Sequence, residues 1–249
     1  MTMPVSLTQT VDWLPHCYPH EGRHEHVAVY LVRAGDSHVL IDSGSVYHRS
    51  EVKEQVAAGT DGQGLDALVL SHSDYPHAGN LAELGAETED VELVASSGSP
   101  PQQGLPEARK ITIGDTETIQ GRTFSFIDPP LADRSHTTWI YEHGDGVLFT
   151  ADGFGSYHDS GRCGDTSAEF DDGIPTEYVY EYHRDNLVWL RYVNPEKLRT
   201  TLESIFEEYE VNAIAPVHGT PVVGDGIRPY LDAFYDTAAR IASEYTVET

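Results

Sequence analysis

Lysine is all but missing from this chain: Lys53, Lys110 and Lys197 are the only three. With arginine, the basic residues number 15 against 41 acidic ones, a formal net charge of −26. A surface of that sign repels phosphate backbones and anionic lipid, which excludes nucleic acid and membrane surfaces as partners. The acidic residues are dispersed along the chain and form no tail, so a disordered acidic interaction segment is excluded as well. A dispersed carboxylate excess with scarce lysine suits a halophilic protein, because concentrated salt shortens the Debye length and screens self-repulsion.

Cysteine is nearly as scarce. Cys17 and Cys163 stand alone, without CxxC spacing. The sequence therefore indicates neither a disulfide framework nor a thiolate zinc site, and both are expected as reduced, unpaired thiols. Residues 1–13 lack a basic start followed by an apolar core, and no run approaches the length of a membrane span. The chain is expected to be soluble and cytoplasmic, folding over its 249 residues as a single domain without internal repeat or linker.

What is present reads as alternating strands and helices. Residues 26–33 and 38–42 are β-branched or apolar around Ala34-Gly35-Asp36-Ser37, a hairpin signature. Residues 50–58 suit a short helix, 65–71 a buried strand, 78–84 a helix, 91–96 a strand, and 98–106 a loop. Strand-like runs follow at 110–113, 116–119, 123–127, 137–141 and 147–150. Residues 153–173 form a long glycine-containing loop, of a length that is usually functional. Aromatics at helical spacing cover 176–192, and this spacing is assigned to core packing. Asn194 caps a helix at 195–209 with Pro195 in its first turn. A short strand at 211–216 and a helix at 228–245 close the chain. Two groups of strands, each followed by helices, predict two packed sheets with helices outside.

The most informative stretch packs two histidines and a carboxylate into six residues, His72-Ser73-Asp74-Tyr75-Pro76-His77, directly after the apolar run ending at Leu70. His136, Asp152 and His218 each sit at a similar juncture, where an apolar segment gives way to polar sequence. Imidazole and carboxylate carried at strand ends are the donors a borderline transition metal takes. On a regular strand His72 and Asp74 share a face and His77 points away, so a turn is needed to gather them. Pro76 and Gly79 supply it. His16, His20, His24 and His26 form a second cluster, assigned to solvated or core-edge positions for want of carboxylates at matching spacing.

This set, in its order and separations over about residues 26–235, resembles the metallo-β-lactamase superfamily. Its ligand loop reads His-x-His-x-Asp-His-x-Gly. Its later ligands are a His before a strand, an Asp after a Leu-Phe-Thr-Gly-like run, and a His before Gly. Here these positions hold His72 to Gly79, His136, Leu148-Phe149-Thr150-Ala151-Asp152 and His218-Gly219. The resemblance implies an α/β fold, an αββα sandwich with one metal pocket at the edge of the two sheets. Two departures narrow it. Asp74 stands where hydrolases have His, and Pro76 stands where they have the loop Asp. An acidic residue at the second position resembles the flavodiiron branch, whose loop is similar to His-x-Glu-x-Asp-His. Residues 149–158 and the aromatic segment 177–192 resemble that branch too.

Carried over position by position, the resemblance assigns His72, Asp74 and His136 to one metal, His77 and His218 to another, and Asp152 as the bridge. Asp42 resembles a residue that braces the ligand loop. It also reads as an ordinary turn-forming Asp before Ser43-Gly44. The second site is short of one ligand. That leaves open positions for an exogenous molecule, or a weakly held ion; Tyr75, Tyr157 or His158 would fill the gap, and His158 is the catalytic candidate. Two metal ions are expected, with iron favoured over zinc because Asp74 hardens the first site. The leading function is binding or reduction of dioxygen or nitric oxide. Flavodiiron proteins carry a flavodoxin-like domain after this one, and this sequence ends at Thr249, so an external electron donor is expected, and a homodimer by resemblance. The alternatives are a zinc hydrolase of an ester, thioester or lactone, which the loss of the loop Asp disfavours, and a non-catalytic sensor.

Overall fold

The computed structural model describes residues 3–87, 91–100 and 108–245. The chain opens with strands β1 (Val5–Ser6), β2 (Val11–Leu14), β3 (Cys17–His20) and β4 (Arg23–His26), none of which the sequence reading had placed. It continues through β5 (Val29–Ala34), β6 (Ser37–Ile41), helix α1 (Arg49–Gly59), β7 (Ala67–Leu70), α2 (Tyr75–Ala78), α3 (Leu81–Glu87), β8 (Glu92–Ser96) and β9 (Arg109–Ile111). The second half runs β10 (Thr116–Ile119), β11 (Arg122–Ile127), β12 (Trp139–Glu142), β13 (Val147–Phe149), α4 (Thr176–Asn186), α5 (Pro195–Glu208), β14 (Ala213–Ala215), β15 (Val222–Val223) and α6 (Ile227–Glu244).

Seven strands pair in the order β1-β2-β5-β6-β7-β8-β9 and six in the order β10-β11-β12-β13-β14-β15, with β3 and β4 as a separate hairpin. Period-two alternation explains how these sheets stack. Tyr30, Val32, Val39, Ile41, Val69 and Val94 of the first sheet meet Phe124, Phe126, Ile140, Val147, Phe149 and Ala215 of the second in one buried cluster. The intervening residues Leu31, Leu40, Leu68 and Leu70 face outward against Val52 and Val56 of α1 and Leu81 and Leu84 of α3. On the far side Leu148 and Ile214 pack with Leu198, Leu202 and Ile205 of α5 and with Phe234 and Ile241 of α6. Helix, sheet, sheet and helix are thus layered as expected. Strand β7 is buried on both faces between parallel neighbours, which is why it reads as a continuous apolar run.

Two expected helices are interrupted. Residues 78–84 begin as the one-turn α2, break at Gly79-Asn80 and resume as α3. The aromatic segment splits at Leu187 into α4 and a 3₁₀ turn at Val188–Tyr192. The loop expected at 98–106 lies partly outside the described residues. In the described part no helix is long and apolar enough to cross a membrane.

The charge has a thermodynamic consequence for this fold. Most of the acidic excess has no basic partner, since 41 carboxylates face 15 basic groups. Raising NaCl from about 0.05 to 1 M shortens the Debye length from more than 10 Å to about 3 Å. The melting temperature is expected to climb over that range by several degrees. A flat or falling melting curve would contradict the halophilic reading.

Candidate metal centre

Strands β6, β7, β13 and β14 all end at one edge of the sandwich, and the loops leaving them carry Asp42, His72, Asp152 and His218. Parallel pairing of β6 with β7 and of β13 with β14 fixes this common edge. Strand β12 runs antiparallel to β13, so the loop before it, with Asp133 and His136, starts at the same edge. Two of the exits use non-glycine residues in the left-handed region, Asp42 at φ 59 and Ala151 at φ 50. Such strain persists only where surrounding contacts over-determine it.

For Asp42 those contacts are visible. Its carboxylate accepts hydrogen bonds from the Ser71 backbone N–H (2.8 Å) and the Ser71 hydroxyl (2.7 Å), and it holds His77 Nδ1 at 2.8 Å. It is 1% exposed, so of the two readings of Asp42 the bracing one is realised. Helix α2, with Pro76 in its first turn, turns His77 inward. Gly79 has an ordinary helical φ of −65, so it is required for space and not for conformation. A Cβ there would lie 2.7 Å from the Gly44 carbonyl oxygen.

With Nδ1 occupied by Asp42, His77 presents Nε2 to Asp152 Oδ2 at 3.3 Å. His72 Nε2 stands 3.5 Å from the same oxygen, and His218 Nε2 stands 3.6 Å from Asp152 Oδ1. His218 is oriented from behind: its Nδ1 lies 2.9 Å from the His26 carbonyl and 3.0 Å from Glu25 Oε1. The Tyr182 hydroxyl donates to the Asp152 backbone carbonyl at 3.1 Å. His72 Nε2, His77 Nε2 and Asp152 Oδ2 are buried and have no hydrogen-bond partner. Orphaned polar atoms facing one another in a protein interior are costly unless something is shared between them. Donors bonded to one ion at about 2.0–2.2 Å in a tetrahedral shell lie roughly 3.3–3.6 Å apart, and each of the three imidazole Nε2 atoms stands at such a distance from one Asp152 oxygen. The residues fit a metal.

Electrostatics point the same way. Burial opposes protonation of His77, but the Asp42 and Asp152 carboxylates outweigh it and push its pKa up to about 10. Burial, aided by His77, pushes His72 down to about 3. Burial would raise Asp152, yet the His77, His218 and His72 imidazoles hold it well below the usual carboxylate range. His218 is raised against its burial by Glu25 and Asp152. Strongly perturbed, mutually coupled groups of this kind cluster at functional sites.

The remaining candidates divide. Asp74 stays near His72, within a group of His72, Asp74 and Asp133 whose donor atoms lie within 4.8 Å of one another, and its carboxylate pairs with Arg134 at 2.8 Å. His136 does not join that group. Its ring centroid is 6.1 Å from that of His72, and its Nε2 shares a hydrogen bond of 3.0 Å with the Ser73 hydroxyl. Tyr75 is 58% exposed, and Tyr157 is buried with its ring stacked on His20. His158 is fully buried behind His26, centroids 4.1 Å apart, with Nδ1 on the Asp159 carbonyl and its pKa lowered by burial.

Two residues escaped the sequence reading. Asp133, 3.6 Å from His72 Nε2, was passed over for His136 three positions on; burial and the Asp152 carboxylate raise its pKa. Glu25 lies between His24 and His26, in the cluster judged to lack a carboxylate. The expectation of free thiols is also corrected, because Cys17 and Cys163 form a disulfide across a separation of 146 residues. No local spacing announces it. It follows from the backbone pairing of His24 with His158, which lays the β3–β4 hairpin against the loop at 153–173.

A family model described as the metallo-beta-lactamase superfamily matches residues 22–192. The anaerobic nitric oxide reductase flavorubredoxin of Salmonella arizonae is 27% identical over 136 residues, 52% of this chain and 28% of that protein. The chain thus spans little more than a quarter of such relatives. Among solved structures, the flavodiiron protein of Giardia intestinalis superposes with a TM-score of 0.78 at 17% identity, covering 96% of this chain and 60% of that one. Rubredoxin oxygen:oxidoreductase of Desulfovibrio gigas gives a TM-score of 0.72 at 18% identity, covering 95% and 62%.

Proposed function

Because this chain belongs to the metallo-β-lactamase superfamily, we propose that its edge pocket holds a dinuclear iron centre that binds or reduces dioxygen or nitric oxide. The observation that carries the reading is the convergence of the orphaned His72 and His77 Nε2 atoms on the buried Asp152 carboxylate, with His218 on its other oxygen. His72 and Asp74 would serve one position, His77 and His218 the other, and Asp152 both. A pair of iron ions held there would supply electrons and open coordination positions for a diatomic ligand.

The protein's own part is orientation and exclusion. Asp42 fixes the His77 ring so that Nε2 faces inward, and Glu25 with the His26 carbonyl does the same for His218, the outer contacts that raise ligand basicity. Pro76 contributes no donor. It instead lines an open, largely apolar cleft of about 450 Å³ with Tyr18, Val27, Ser45, Tyr47, His48 and Tyr75. The activities for which these relatives are named, nitric oxide reduction and oxygen reduction, support the same substrate class. Reducing equivalents would reach the centre from a partner domain or protein.

Anaerobic loading with ferrous iron is expected to give two ions per chain and a visible-region absorbance change on exposure to oxygen or nitric oxide. Failure to take up iron would overturn the proposal. Zinc uptake with ester hydrolysis and no response to either gas would replace it by the hydrolytic alternative.

A further inference from the structure

We propose that Asp133, and not His136, is the third protein donor of the first metal position, which makes that position a single imidazole among carboxylates, a hard donor set suited to iron(II) or manganese(II). The inference rests on the metal-centre reading above and specifies it. The chain geometry in the loop before β12 supports it directly. Thr137 Oγ1 donates to Asp133 Oδ1 at 2.7 Å, which locks the carboxylate and leaves Oδ2 facing His72 Nε2 at 3.6 Å. That separation matches the one between His72 Nε2 and Asp152 Oδ2, 3.5 Å, so one imidazole nitrogen stands equally far from two carboxylates. His72 is fully buried and its Nε2 has no hydrogen-bond partner, an independent sign that a ligand belongs between them.

His136 has a different attachment. Its backbone carbonyl accepts from the Ser96 hydroxyl at 2.9 Å, while its Nε2 is engaged by Ser73. Arg134 occupies the space a countercharge requires, with Nη2 2.8 Å from Asp74 Oδ2 and Nη1 3.8 Å from Asp133 Oδ2. A divalent ion between Asp74 and Asp133 takes over that neutralising role, and the guanidinium is free to swing out, its side chain being about half exposed. Three carboxylates and one imidazole form a hard donor set. Such a set suits iron(II) and manganese(II).

Manganese(II), which is counted by its electron paramagnetic resonance, tests this without turnover. Wild-type protein dialysed against manganese(II) is expected to bind two ions per chain, Asp133→Asn one, and His136→Ala two. In Asp133→Asn the lost ion's affinity falls by at least about tenfold. The amide can still accept from Thr137, so the variant keeps its loop, and circular dichroism with a melting curve verifies this. Asp133→Glu, which retains a carboxylate, is expected to recover the second ion. Loss of an ion in His136→Ala with two retained in Asp133→Asn overturns the assignment while leaving the metal centre standing. A wild type that binds no ion at all overturns the metal-centre reading itself, and this inference with it.

Discussion

Asp152→Asn is expected to lose both ions while the fold survives. Among the described residues, Asp152 is the one carboxylate whose oxygens stand 3.3 to 3.6 Å from His72, His77 and His218 together. Asparagine matches it in size and leaves the backbone carbonyl available to the Tyr182 hydroxyl. The amide can offer one neutral oxygen to one ion, and its NH₂ group repels the other. Each position should weaken by more than about 100-fold, beyond the 10–100-fold that loss of a merely supporting contact costs. Metal content after dialysis, with circular dichroism as the control, checks this. Two ions retained at wild-type affinity would show that Asp152 is not the shared donor.

The layers of the fold were legible in the sequence because burial writes itself into periodicity. Residues 65–71 and 147–150 are apolar runs flanked by polar turns, and they are the strands that deliver His72 and Asp152. Of the N-terminal strands, the β3–β4 hairpin escaped because it stands apart from both main sheets and carries no apolar face. Strand β4 reads Arg23-His24-Glu25-His26, with no apolar alternation; the Glu25 carboxylate and the His26 backbone carbonyl face His218. The disulfide escaped for a related reason, as it depends on tertiary pairing of His24 with His158. The donor loop was legible as a set of residue types. The proposed exchange of roles between Asp133 and His136 was not, because both stand on one turn and only the Thr137 and Ser73 hydrogen bonds distinguish which is anchored where.

Asp42 allows two substitutions to separate stability from ligation. Asp42→Ala leaves the Ser71 N–H without its acceptor and the buried His77 Nδ1 without its carboxylate, at a backbone φ of 59 that Asp tolerates better than Ala. A loss of about 3–5 kcal/mol is expected, the cost of breaking a buried charged pair from one side. Asp42→Asn keeps the left-handed backbone and still accepts from the Ser71 N–H. Toward His77 Nδ1, however, it offers an amide N–H, which makes Nδ1 the acceptor and puts the ring proton on Nε2. The nitrogen facing Asp152 then has no lone pair for a metal. Asp42→Asn should fold and yet fail to hold an ion at His77.

A pH series on metal-free protein distinguishes the two effects further. The pKa of His77 is raised from the ordinary value of 6.5 to about 10, by Asp42 and Asp152 against its burial. A raised folded-state value means the native state binds the proton more tightly than the unfolded chain does. This contribution to stability is therefore complete below pH 6.5 and is lost as the pH rises toward 10. Urea unfolding of metal-free wild type should show stability declining across that window, and Asp42→Asn should flatten the decline. Equal slopes for the two proteins would mean that Asp42 is not what keeps His77 charged, and that the orientation of its Nε2 is set elsewhere.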